Sequence, residues 1–108
     1  MEGTEAHQKI YFSNLQKIAM KIKEGFILRQ ICGEYVVVGE GLAQVNFNKM
    51  LSLNASAAYL WEQMQGKDFT VQDMADALMD RYEVGQERAY EDAAALAGKW
   101  VDEGVVAQ

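Results

Sequence analysis

One cysteine and one histidine are all that the 108 residues contain. A disulfide framework and a Cys/His zinc site are therefore excluded. Proline is absent, and so are repeats and low-complexity tracts, so nothing divides the one compact domain, with a tail, that this length allows. Long apolar runs are missing too. Runs such as Tyr35 to Val38 and Ala93 to Ala97 are far too short to span a bilayer. The first twenty residues carry Glu2 and Glu5 and lack the apolar stretch of a signal peptide. A soluble, cytoplasmic protein with no membrane partner is expected. Positive charge is scarce: 10 basic residues stand against 16 acidic ones, a net charge of -6. That balance argues against nucleic acid as a partner, which requires a cationic footprint.

What is present can build a core, since 50% of the residues are hydrophobic and 24% charged. The acid is unevenly placed. Residues 1–54 hold six basic and five acidic side chains, whereas residues 55–108 hold four and eleven. Residues 1–19 read as an N-terminal appendage. They are polar apart from a sparse stripe of Tyr11, Leu15 and Ile18 that continues to Ile22, which fits a short amphipathic helix or a loosely tied tail. Residues 20–108 read as the domain, and Met20 could be an alternative start.

From Met20 to Leu53 the texture is strand-like. Phe26 to Ile31 and Tyr35 to Val38, split by Cys32-Gly33-Glu34, predict a hairpin. Val45 and Phe47 alternate with Asn46 and Asn48, a period of two that predicts a half-buried strand. Asn48-Lys49 is read as a turn or kink before Met50 to Leu53. Three helices follow. Asn54 caps the first, whose buried face is Ala58, Leu60, Trp61 and Met64, and Gly66 ends it. Thr70 and Asp73 resemble a capping box for the second, with the stripe Val71, Met74, Ala75, Leu78 and Tyr82. The third runs from about Gln86 to Glu103 and closes on Gly104. Strands first and helices after indicate an α+β domain with an antiparallel sheet, and the first two helices look like a helix-turn-helix pair.

Little here can do covalent chemistry. Asp73, Asp76 and Asp80 read best as a solvated helix face. Cys32 lacks a basic partner, because His7 lies in the appendage, and so it reads as a small apolar residue near a turn. Gly39-Glu40-Gly41 is turn chemistry without the third glycine of a dinucleotide site. No metal or organic cofactor is expected. A DNA-reading role for the third helix meets Glu87, Glu91, Asp92, Asp102 and Glu103 against Arg88 and Lys99.

The third helix is apolar over an unusual width. Ala89, Ala93, Leu96 and Trp100 make one stripe, and Tyr90, Ala94, Ala97 and Val101 the next. Either both are core, or one lines a groove beside the sheet. An exposed sheet edge beside such a groove would accept an incoming strand, or pair two copies of the domain as a homodimer.

Leu51-Ser52-Leu53-Asn54, Ala58, Leu60-Trp61, Gly66, Thr70, the Met74 to Tyr82 helix and the closing Gly104-Val105-Val106 together resemble the PqqD family. The resemblance covers about Met20 to Val106, with extra residues around Gly39 to Phe47 relative to the shortest family pattern. It implies a winged-helix-like domain, a three-stranded antiparallel sheet followed by three helices. It also implies a non-catalytic adaptor, a RiPP recognition element. Such domains capture the leader of a ribosomal precursor peptide as an added strand and present it to a modifying enzyme, often a radical-SAM protein. Carried onto this chain, the edge would be Lys49, Met50, Leu51, Ser52 and Leu53, and the groove wall Tyr90, Ala93, Ala94, Ala97 and Val101. The alternatives are a winged-helix transcription regulator and an interaction domain of the same fold outside peptide modification.

Overall fold

A computed structural model describes residues 18–47 and 49–108. His7, the Tyr11 and Leu15 stripe and Asn48 lie outside the described residues, so the expectations of a terminal helix or tail and of an Asn48 turn fall there. The first strand, β1 (Lys21–Ile22), is two residues long. Then β2 (Phe26–Ile31) and β3 (Glu34–Gly39) form the expected antiparallel hairpin, paired from Phe26–Gly39 to Ile31–Glu34. The turn between them is Cys32-Gly33, with φ of 53° and 81°. Two successive positive φ values are the signature of a type I′ turn, whose twist matches that of the strands it joins.

The next segment corrects the sequence reading. Where Val45 and Phe47 predict a half-buried strand, residues Leu42–Asn46 form a short helix, α1. Gly39 favours it: a Cβ there would lie 3.0 Å from the Ala43 carbonyl oxygen, so a larger residue would push the helix back from β3. Val45 is 77% exposed, while Phe47 is buried edge-on against Phe26 with ring centroids 5.1 Å apart. The segment Gly39 to Phe47 thus holds a short helix between β3 and β4 (Leu51–Leu53).

The sheet order is β2-β3-β4, all antiparallel. Phe26, Val37, Leu51 and Leu53 face inward from it onto the helices. These are α2 (Ala55–Met64), α3 (Val71–Arg81) and α4 (Gln86–Glu103). Their ends are fixed locally, as the sequence suggests. The Asn54 side chain accepts from the Ala57 N–H at 2.9 Å, Thr70 and Asp73 complete a capping box, and Gly104 closes α4 at φ 83°. Trp61 of α2 and Trp100 of α4 meet edge to face at 5.2 Å, both fully buried, and anchor the core.

A second, two-stranded sheet goes beyond the sequence reading. The strand β5 (Val106–Ala107) pairs with β1, and Met20 exchanges backbone hydrogen bonds with Phe69. Val105 and Val106 are buried, so this clasp ties the two ends of the described chain into one core. Among the described residues no helix is long and apolar enough to cross a membrane.

Candidate functional site

The strand β4 uses one edge to pair with β3, through Val37–Leu51, Val36–Ser52 and Tyr35–Leu53. No described strand pairs with its other edge. Leu51 and Leu53 point into the core, Ser52 points outward, and Met50 is 61% exposed at the start of the strand.

Where β4 passes into α2 a cleft of about 780 Å³ opens. Asn54, Ser56 and Ala57 form its near wall where β4 passes into α2. Arg88, Asp92, Ala95, Leu96 and Lys99 form the far wall. Their spacing of i, i+4, i+7, i+8 and i+11 places all five on one face of α4. Leu60, Leu78, Tyr82 and Val84 supply an apolar lining at one end. At the other end of β4, the Lys49 ammonium donates to both Glu103 carboxylate oxygens, at 3.1 and 3.0 Å. The helix α4 therefore runs alongside β4 in the opposite direction, tied to it at Lys49 and parted from it at Asn54.

The cleft carries mixed charge. Arg88 pairs with Asp92 at 3.1 Å on an exposed turn, which contributes little stability. Beside the lining residue Tyr82, Tyr59 meets it edge to face at 6.2 Å, and the Arg81 guanidinium sits 5.1 Å over the Tyr59 ring. Asp73 is engaged in its capping box and Asp76 accepts from Gln72, so two of the three aspartates of α3 bond within their own helix or its cap. Among the described residues no group of three or more His, Cys, Asp or Glu could hold a metal ion. Cys32 is exposed in the hairpin turn, where the sequence suggests a small apolar filler.

The residues expected from sequence divide between two places. Lys49, Met50, Leu51, Ser52 and Leu53 do form the unpaired edge and its approach. The expected groove wall does not face it. Ala93 is fully buried and Ala97 nearly so, in a core stripe with Ala89 and Trp100. Ala94, Ala97 and Val101 line a different, smaller groove together with Ile18, Met20 and Val71. Tyr90, only partly buried, lies on the same flank of α4 by its helical spacing. The cleft wall is the opposite flank, and it includes Leu96, which periodicity groups in one stripe with Ala89, Ala93 and Trp100. Lys99 and Ala95 carried no signal, because a charged residue and an alanine on a helix also describe an ordinary solvated face.

Two solved structures share this fold. A lasso peptide synthetase B1 complexed with the leader peptide superimposes with a TM-score of 0.62 at 21% identity, covering 82% of this chain and 98% of that one. TbiB1 in complex with the TbiA(beta) leader peptide gives 0.61 at 17% identity, covering 80% and 93%. No curated protein matches the sequence significantly. Residues 33–106, from the hairpin turn to the closing strand, match the family model of coenzyme PQQ synthesis protein D, and the chain belongs to that PqqD family.

Proposed function

We propose that this protein is a non-catalytic adaptor that binds the leader segment of a ribosomal precursor peptide. The leader adds to the free edge of β4 as a fourth strand, antiparallel or parallel to it, inside the cleft walled by α4. The observation that carries this reading is the unpaired edge of β4, which leads at Asn54 into a cleft of about 780 Å³. Both structural relatives are complexes with leader peptides, which supports the same role here.

The physics is suited to the task. Ladder hydrogen bonds to Lys49 through Leu53 give an anchor tolerant of sequence, and pockets for alternate side chains give selectivity. One such pocket is the apolar end at Leu60, Leu78, Tyr82 and Val84, which suits an aliphatic or aromatic leader residue. The bound leader holds the attached core peptide at high local concentration for a modifying enzyme, of radical-SAM type in the family pattern, which carries out the chemistry.

The test is an amide-shift titration of isotopically labelled protein with the leader of a precursor encoded beside its gene. Shifts should concentrate at Lys49 to Leu53 and at Ala95 to Lys99. Binding that moves neither set overturns the proposal.

A further inference from the structure

The helix α4 sorts its charges by flank. It carries two bases, Arg88 and Lys99, and five acids, Glu87, Glu91, Asp92, Asp102 and Glu103. Both bases line the cleft of about 780 Å³, and a single one of the acids, Asp92, does so. That acid is engaged, since the Arg88 side chain donates to both its carboxylate oxygens at 3.1 Å. Lys99 is exposed, and among the described residues it has no hydrogen-bond or ion-pair partner. In a protein of net charge -6, the wall of this cleft therefore ends in an uncompensated cation.

A lysine on a convex surface is ordinarily no more than a solvated charge. Lys99 differs in its place. It shares a concave site with the apolar Ala57, Leu60 and Leu96, and low-dielectric walls focus the field of a charge between them. It also stands one helical turn from Glu103, which ties α4 to Lys49. The free cation thus lies toward the Lys49 end of α4. The apolar lining lies at the other end, where Val84 precedes α4 by two residues. Arg88 and Lys99, eleven residues apart, bracket the wall over about 16 Å. An extended peptide covers that distance in about five residues, and its side chains return to one face at every second position.

We infer that the leader taken by this protein is acidic at one position, where an Asp or Glu side chain pairs with the Lys99 ammonium. A bulky apolar residue about four to six positions away fills the end at Leu78, Tyr82 and Val84. The inference rests on leader binding in this cleft and adds a charge requirement to it. Charge complementarity selects the occupant: the acids of α4 other than Asp92 lie off the cleft, so an anionic side chain entering it meets the one cation that no residue of the protein neutralises.

Calorimetric titration with the leader of the precursor encoded beside the gene tests it, at about 50 mM and about 500 mM salt, between which screening shortens about threefold. Lys99→Met keeps the aliphatic stem and loses the charge. It should weaken binding about fivefold at the lower salt and less than about twofold at the higher, because the salt screens the pair. Lys99→Glu should weaken it more than about twentyfold, and a leader with lysine in place of its acid should recover most of that loss. Lys67→Glu makes the same change in net charge in the turn between α2 and α3, outside the cleft, and should leave affinity unchanged. Equal affinities of the native protein and Lys99→Met overturn the inference. So does an equal loss from Lys67→Glu, which would assign the effect to overall charge, and so does tight binding of a leader that lacks Asp and Glu. Amide shifts in the Lys99→Met complex separate this inference from the reading it rests on. Shifts at Lys49 to Leu53 with unchanged affinity leave leader binding standing and remove the acidic contact, whereas absence of binding to the native protein removes both.

Discussion

Cys32 shows how much one backbone angle decides. It holds φ at 53°, ahead of Gly33 at 81°, and the whole β2–β3 register depends on that turn. Asn-Gly is the preferred pair for such a turn, and a β-branched residue is poorly tolerated in it. Cys32→Asn is therefore expected to raise stability by about 0.5 kcal/mol, and Cys32→Val to lower it by about 1–2 kcal/mol. Urea midpoints of the three proteins check the order, and coincident midpoints would contradict it. Gly25 is constrained more tightly, with φ at 89° and the Ala43 Cβ only 2.8 Å from where its own Cβ would be. At this scale the sequence was most legible where the interaction is local. Asn54, Thr70, Asp73 and Gly104 cap their helices as read, because each cap joins residues no more than a few positions apart. Thr70→Ala should accordingly cost about 1 kcal/mol, seen as a lower thermal midpoint.

At the scale of elements, periodicity served well for the long helices and failed for the short one. The helix α1 has Leu42 and Val45 on its solvent side, 87% and 77% exposed, so it has no apolar face for a pattern to find. Its backbone is set by Gly39 and Gly41 and by the contact with β3, information that five residues do not carry. In α4 the apolar width was legible, but which flank meets β4 was not, since that depends on the angle at which the helix crosses the sheet. The flank assignment yields a contrast. Leu96→Glu puts a charge into the β4 cleft and should weaken leader binding at least tenfold, whereas Ala94→Glu on the far flank should change it less than twofold. Calorimetric titration of both variants decides; equal losses would move the site. Strand addition predicts a second pattern. Proline removes a backbone donor, and only every other residue of an added strand turns its N–H toward β4. A proline scan of the leader should therefore reduce affinity strongly at alternate positions. Uniform losses would point to a helical or irregular bound peptide instead.

The whole molecule is held together by contacts distant in sequence. The β1–β5 clasp brings Ile22 beside Val106, and Trp61 meets Trp100 across the core. Val105 and Val106 are 0% and 3% exposed, so Val105→Ala and Val106→Ala should each cost about 2 kcal/mol through lost burial and the cavity left behind. Tryptophan emission and far-ultraviolet dichroism should follow a single unfolding transition, since both rings lie in the one cluster that joins sheet, helices and clasp. Two separated transitions would show that the clasp opens on its own. The sequence by itself determined the α+β class, the hairpin, the three long helices with their caps, and the family. Each of these rests on periodicity, on short-range hydrogen bonding or on motif order along the chain. Tertiary structure alone decided which flank of α4 lines the larger cleft and which the smaller groove, and that Lys21–Ile22 and Val106–Ala107 pair as strands. Those outcomes depend on how elements dozens of residues apart are oriented, and no local pattern of side chains encodes an orientation between them.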